Sequence, residues 1–282
     1  MYILAAALVK PSPTPVHIYI NTSIDAWVSA RKPGLNSSGY ALEAVGLVKS
    51  YGDVLALRGL TLRVRPGEIY GLIGPNGAGK TTTLKIVAGL LRPDAGSVRI
   101  YGIDLMARRY EALRLIGYVP ENPYVFRNLT VTQFIRMAAA LRGINWHDVR
   151  GEAERLLEVF GLQRKKDVEL KKLSRGMLQK TLAIACFIVN PKLMVMDEPM
   201  AGMDPEAQHA FKEEVRRMTR EEEAAAVVSS HILDMVERFC TRVGLIKNGR
   251  LIFEGSVEEL KEAAAAGTLE DAFLRLIRGG GG

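Results

Sequence analysis

Gly74-Pro-Asn-Gly-Ala-Gly-Lys80-Thr81 has the spacing GxxxxGK[ST]. Glycines at those positions let successive backbone N–H groups converge on phosphate oxygens. Lys80 then reaches the β- and γ-phosphates of a nucleoside triphosphate, and the Thr81 hydroxyl is a ligand for Mg²⁺. A second feature is Leu193-Met-Val-Met-Asp197-Glu198, an apolar run that ends in two carboxylates. At the C-terminal edge of a sheet, Asp197 can hold the Mg²⁺ shell through water. Glu198 follows directly, placed to polarise a water for in-line attack. A third is Leu173-Ser174-Arg175-Gly176-Met177, where Ser174 is suited to cap a helix whose N-terminus attracts anions.

The elements around these residues follow from periodicity and punctuation. Glu68–Ile73 reads as a buried strand entering the glycine-rich loop, and Thr81–Leu91 as the helix leaving it, stopped by Arg92-Pro-Asp-Ala-Gly96. Leu60–Val64 alternates as a strand, and Ser97–Tyr101 is another. Apolar spacing predicts helices over Thr132–Leu141 and Gly151–Phe160, with a long helix over Leu178–Val189. Lys192–Asp197 and Ala225–Ser229 are buried strands. Asp204-Pro205 opens a helix with Asp as N-cap and Pro at the first helical position. Val243–Gly255 reads as a hairpin turning at Asn248-Gly249, and Val257–Arg278 as one helical segment before a glycine tail.

Phosphate loop, Ser174 motif, acidic strand end and a late His231, in this order, resemble the nucleotide-binding subunit of an ABC transporter from about Ala41 to Ile277. The resemblance implies an α/β fold: a P-loop NTPase, RecA-like core, a small antiparallel β region on the N-terminal side, and an α-helical subdomain carrying the signature. It implies ATP as ligand, with Gly74, Pro75, Asn76, Gly77, Ala78, Gly79, Lys80, Thr81 and Thr82 around its phosphates. Tyr51, in Lys49-Ser-Tyr-Gly52, matches the aromatic that stacks on adenine. Ser174, Arg175 and Gly176 match the signature that reaches the γ-phosphate of the opposite subunit. Asp204 matches the D-loop at the dimer contact. His231 matches the switch histidine that contacts the γ-phosphate and orients water, and Glu121 stands at the Q-loop position as a further Mg²⁺ ligand. Three departures stand out. Arg175 and Met177 replace Gly and Gln of the signature, Glu121 replaces Gln, and Ala201 and Met203 replace Ser and Leu of the D-loop. The stretch Gly267–Ile277 resembles the ending of the drug- and polysaccharide-export branch. The resemblance therefore implies an ATPase that powers an exporter from the cytoplasmic face of the membrane. Its partners would be transmembrane permease subunits, contacted around Glu121–Arg127, and a second nucleotide-binding subunit.

Composition fits this expectation. Of 282 residues, 48% are hydrophobic and 24% charged, which excludes a disordered or collagenous chain. Two cysteines exclude a disulfide scaffold. The longest uncharged apolar runs, Tyr2–Val9 and Leu182–Val189, fall far short of the roughly 18 residues a spanning helix needs. Tyr2–Val9 precedes the first cation, Lys10, so it is not expected to be a cleaved leader. The net charge of +7 permits a rival reading, an ABC ATPase acting on nucleic acid or ribosomes. Such repair ATPases insert a long coiled coil between their motifs, and no heptad run lies between Lys80 and Asp197, so nucleic acid is not expected as a partner. Residues 1–40, with four of the twelve prolines and few charges, read as a flexible extension. Residues 41–255 form the ATP-binding domain, with its helical subdomain at about 122–190, and 256–282 a C-terminal helical segment.

Overall fold

The computed structural model describes residues 39–122 and 126–279. The expected extension therefore lies outside the described residues up to position 38. So do residues 123–125 of the expected permease contact and 280–282 of the glycine tail.

Two sheets form the body. The smaller is antiparallel, with order β2-β1-β4-β5: β1 (Leu42–Tyr51), β2 (Val54–Val64), β4 (Ala95–Ile100) and β5 (Ile103–Asp104). The larger has order β10-β9-β3-β8-β7-β6. It comprises β3 (Ile69–Ile73), β6 (Ile116–Val119), β7 (Leu193–Asp197), β8 (Ala225–Ser229), β9 (Arg242–Lys247) and β10 (Arg250–Gly255). Strands β6, β7, β8, β3 and β9 run parallel, and β10 closes the edge as a hairpin with β9. Every residue of β3, β6, β7 and β8 is buried, as expected of parallel strands covered on both faces.

Among the described residues the helices are α1 (Lys80–Val87), α2 (Arg109–Arg114), α3 (Val131–Leu141), α4 (Trp146–Val159), α5 (Arg175–Phe187), α6 (Pro205–Glu221), α7 (Leu233–Phe239), α8 (Val257–Ala263) and α9 (Leu269–Gly279). Several ends differ from the periodicity. Helix α1 stops at Val87, short of Leu91, because the chain turns left-handed at Gly89 (φ 70°). Helix α4 begins at Trp146, capped by the Asn145 side chain, and runs through Gly151. The C-terminal segment is two helices, broken where Ala265 takes φ 50°. Helix α6 starts as expected, the Asp204 side chain accepting from Ala207 N–H at 2.9 Å. The short elements β5, α2, β6 and α7 carry too few residues to show a period.

The layer of α3, α4 and α5 shares one buried hydrophobic cluster with the large sheet, and three aromatic rings lie within it. The Phe187 ring of α5 lies 6.2 Å from Phe160, at the end of α4, and 5.5 Å from Phe211 of α6. All three are buried. Arg155 of α4 adds a 2.9 Å ion pair to the buried Glu214 of α6. Truncating the middle ring removes packing on both sides. Phe187→Ala is therefore expected to cost about 3–5 kcal/mol, read as a shifted urea midpoint; a cost below about 1 kcal/mol would contradict the role of this stack.

Candidate active site

The phosphate loop leaves β3 at Ile73 and is wedged against the β9–β10 hairpin and β2. A Cβ at Gly74 would stand 2.3 Å from the Ile246 carbonyl oxygen, and one at Gly79 (φ 112°) 2.9 Å from the Ala56 carbonyl oxygen. Neither position can be anything but glycine without moving backbone. The turn of the hairpin buttresses the loop, Gly249 N–H donating to Ala78 O at 2.9 Å. Lys80 opens α1, and its ammonium donates to Gly74 O at 2.6 Å and Pro75 O at 3.1 Å. Partial burial lowers its proton affinity, and the carboxylates of Glu198, Asp197 and Glu121 act in the opposite direction.

Those carboxylates come from two neighbouring parallel strands. Asp197 ends β7, nearly fully buried. Glu198 follows with φ 46°, a left-handed conformation that costs a non-glycine residue energy. Its carboxylate accepts from His231 Nδ1 at 2.9 Å. Burial raises the proton affinity of Glu198, and the bond from His231 opposes that shift. Ser229, the last residue of β8, joins this group: it donates to Asp197 Oδ1 at 2.6 Å and accepts from Glu198 N–H at 3.0 Å.

Residues 76–82 of the loop and helix, with Glu121, Asp197, Glu198 and His231, line one pocket of about 450 Å³. Gly74 and Pro75 lie behind it, holding the Lys80 ammonium. Tyr51, half exposed, lines an adjoining pocket of about 540 Å³ that shares Thr81, Glu121 and Asp197 with the first. Ser174, Arg175, Gly176 and Asp204 line neither pocket. Ser174 caps α5, accepting from Met177 N–H at 3.3 Å, and Arg175 is exposed. Gly176 is pressed onto Gly202, where a Cβ would meet the carbonyl oxygen at 2.0 Å. Asp204 caps α6 and pairs with Lys180 of α5 at 2.6 Å, which holds its carboxyl below the usual range.

Sequence reasoning missed Ser229, Lys180 and Gln179, whose side chain donates to Pro120 O at 2.9 Å. Their contacts join residues far apart in the chain, and only Ser229 carried a local hint, standing two residues before His231 at a strand end.

A phosphate loop between a parallel strand and a helix, with an acidic strand end beside it, defines a P-loop nucleoside triphosphatase. Residues 57–201 match the sequence pattern described as ABC transporter. The chain is 36% identical over 215 residues to a Nod factor export ATP-binding protein I of Burkholderia thailandensis, covering 76% of this chain and 70% of that protein. It is 35% identical over 229 residues to the daunorubicin/doxorubicin resistance ATP-binding protein DrrA of Streptomyces peucetius, covering 81% and 69%. A solved ATP-binding subunit of an ABC transporter superposes with a TM-score of 0.79 at 32% identity, over 84% of this chain and 99% of that one. The chain belongs to the ABC transporter family, as an ATP-binding, ATP-hydrolysing subunit.

The Lys80 ammonium provides charge-assisted bonds that ATP phosphates can take over from the loop carbonyls. Losing two such bonds costs about 3 kcal/mol or more, roughly 100-fold in affinity. Lys80→Ala is expected to weaken ATP binding by at least that factor in calorimetry at fixed Mg²⁺, and undiminished affinity would contradict the assignment of the loop.

Proposed function

We propose that this chain is the motor of an exporter. It hydrolyses ATP at sites shared with a second nucleotide-binding subunit and passes the motion to separate transmembrane permease subunits at the cytoplasmic face of the membrane. The observation that carries this reading is the division of the family's motifs. One pocket gathers residues 76–82, Glu121, Asp197, Glu198 and His231, while Ser174, Arg175 and Gly176 face elsewhere. A signature outside its own chain's pocket is what an opposed pair of subunits requires, each pocket then being closed by the other chain's Ser174. Among the described residues no helix is long and apolar enough to cross a membrane, which fits dependence on permease subunits. The names of the relatives, for Nod factor export and daunorubicin resistance, favour export and give the nucleic-acid reading no support.

The residues divide the work. Tyr51 offers a ring for adenine. Backbone N–H groups of residues 76–82 and the Lys80 ammonium hold the phosphates. The hydroxyl of Thr81 and the carboxylates of Asp197 and Glu121 are hard oxygen donors, the set Mg²⁺ prefers. Among the described residues no three His, Cys, Asp or Glu side chains could hold a metal by themselves, so these donors suit an ion that phosphate oxygens also ligate. Bound there, Mg²⁺ supplies neutralisation of phosphate charge. Glu198 accepts the proton of the attacking water, and His231, bonded to that carboxylate, keeps it aimed.

Two substitutions test these roles. Glu198→Gln is expected to keep ATP binding and to slow hydrolysis by roughly 10²-fold or more, so that a dimer accumulates with Mg·ATP; phosphate release and size-exclusion chromatography read both. Unchanged turnover would contradict the assignment. Glu121→Gln removes a charge beside the phosphates. Two unit charges about 4 Å apart repel by about 4 kcal/mol at an effective dielectric of about 20, and solvent reduces this. The variant is expected to bind metal-free ATP roughly tenfold tighter and to gain less from Mg²⁺. An identical Mg²⁺ dependence in calorimetry would show that Glu121 does not act on the nucleotide.

A further inference from the structure

Ser229 is fully buried at the end of β8, and the parallel register sets it beside Asp197 of β7. Its hydroxyl makes two bonds of opposite sense. It accepts from Glu198 N–H at 3.0 Å and donates to Asp197 Oδ1 at 2.6 Å. A backbone N–H can only donate and an ionised carboxylate can only accept, so the single hydroxyl proton has one place to go. The side chain therefore has no freedom left, and it fixes two neighbours at once. One is the carboxylate at the strand end. The other is the peptide of a glutamate held at φ 46°, a conformation that persists only when surrounding contacts impose it. Two residues further on, the chain leaving that strand brings in His231, whose ring reaches back to the Glu198 carboxylate at 2.9 Å. Asp197, Ser229, Glu198 and His231 thus form one ring of contacts across the β7–β8 strand ends.

We infer that Ser229 is a positioning residue for hydrolysis: its hydroxyl fixes the Asp197 carboxylate for the metal and the Glu198 backbone for the attacking water. The inference rests on the roles proposed above for Asp197 and Glu198. It separates Ser229 from an ordinary core serine, because a core serine loses packing when replaced, whereas Ser229 loses two bonds that aim other groups. Neither bond touches the phosphate loop, so removing the hydroxyl spares the grip on metal-free nucleotide. Partners that orient metal ligands are each worth typically 10–100-fold in metal affinity or activity.

The test is calorimetry of ATP binding to the full chain, with Mg²⁺ and with a chelator, on the parent and on Ser229→Ala, Ser229→Thr and Asp197→Asn. Ser229→Ala is expected to bind metal-free ATP within about twofold of the parent, to lose roughly tenfold of the gain that Mg²⁺ brings, and to hydrolyse about 10–100-fold more slowly. Ser229→Thr keeps the hydroxyl and is expected to stay near the parent. A parental Mg²⁺ gain in Ser229→Ala would overturn the inference, and so would a threonine variant that falls as far as alanine, which would assign the loss to packing. Should Ser229→Ala fail to fold, Ser229→Cys, close in volume but a weak donor, is expected to show the same loss, and its matching the parent would overturn the inference too. If Asp197→Asn itself retains the Mg²⁺ gain, the assignment of the metal site fails; if only Asp197→Asn loses it, the role of Ser229 fails alone.

Discussion

Charge balance is the constraint on which this structure depends. The pocket that receives a polyanion is already lined by three carboxylates, those of Glu121, Asp197 and Glu198, with Lys80 as the cation among them. Unopposed, that arrangement would repel phosphate. Two things make it workable. The loop presents backbone N–H groups, neutral donors that hold phosphate without adding a counter-charge to bury. The carboxylates are hard oxygen donors, the kind that would hold a divalent cation beside the nucleotide. On the proposed reading, Glu121 makes the constraint more severe than the glutamine expected at its position.

Holding like charges at one edge requires stiff supports, and the fold provides them. The parallel strands β7 and β8 are buried along their whole length and end together, with Asp197 beside Ser229. The loop is pinned by carbonyls of Ile246 and Ala56 that leave no room for a side chain at Gly74 or Gly79. The signature is equally fixed. Gly176 sits against Gly202, Lys180 pairs with Asp204, and Gln179 bonds Pro120 just before Glu121. Helix α5 is therefore in direct contact with both the loop after Asp197 and the segment leading to Glu121.

Residue types announced the parts of this site that depend on local chemistry. The glycines and lysine of the loop, the apolar run ending at Asp197-Glu198, and the Asp204-Pro205 helix start are legible because each needs particular residues at a fixed spacing. The ring through Ser229 is not, because it depends on which strands neighbour each other and in what register. Nor is the left-handed backbone at Glu198 and Ala265, since neither residue advertises a positive φ as glycine does. The start of α4 was displaced for the opposite reason. Gly151 looks like a boundary, but the cap that decides it is Asn145, six residues earlier. In the C-terminal segment, alanine and glutamate outweighed Gly267-Thr268, where the helix breaks after Ala265 and restarts with the Thr268 hydroxyl accepting from Asp271 N–H at 3.1 Å.

The pocket gathers phosphate-binding and acidic groups but not Ser174, Arg175 and Gly176, and the proposed function assigns those three to the pocket of a second chain. On that proposal, activity depends on meeting a second chain. The direct measurement is the specific ATPase activity of the full chain at saturating Mg·ATP across about a hundredfold range of protein concentration. Sharing of sites predicts that activity per chain falls steeply on dilution and climbs to a plateau as chains associate. Activity per chain that stays constant down to concentrations where sizing finds only monomer would mean that each pocket works alone, and would contradict the shared site.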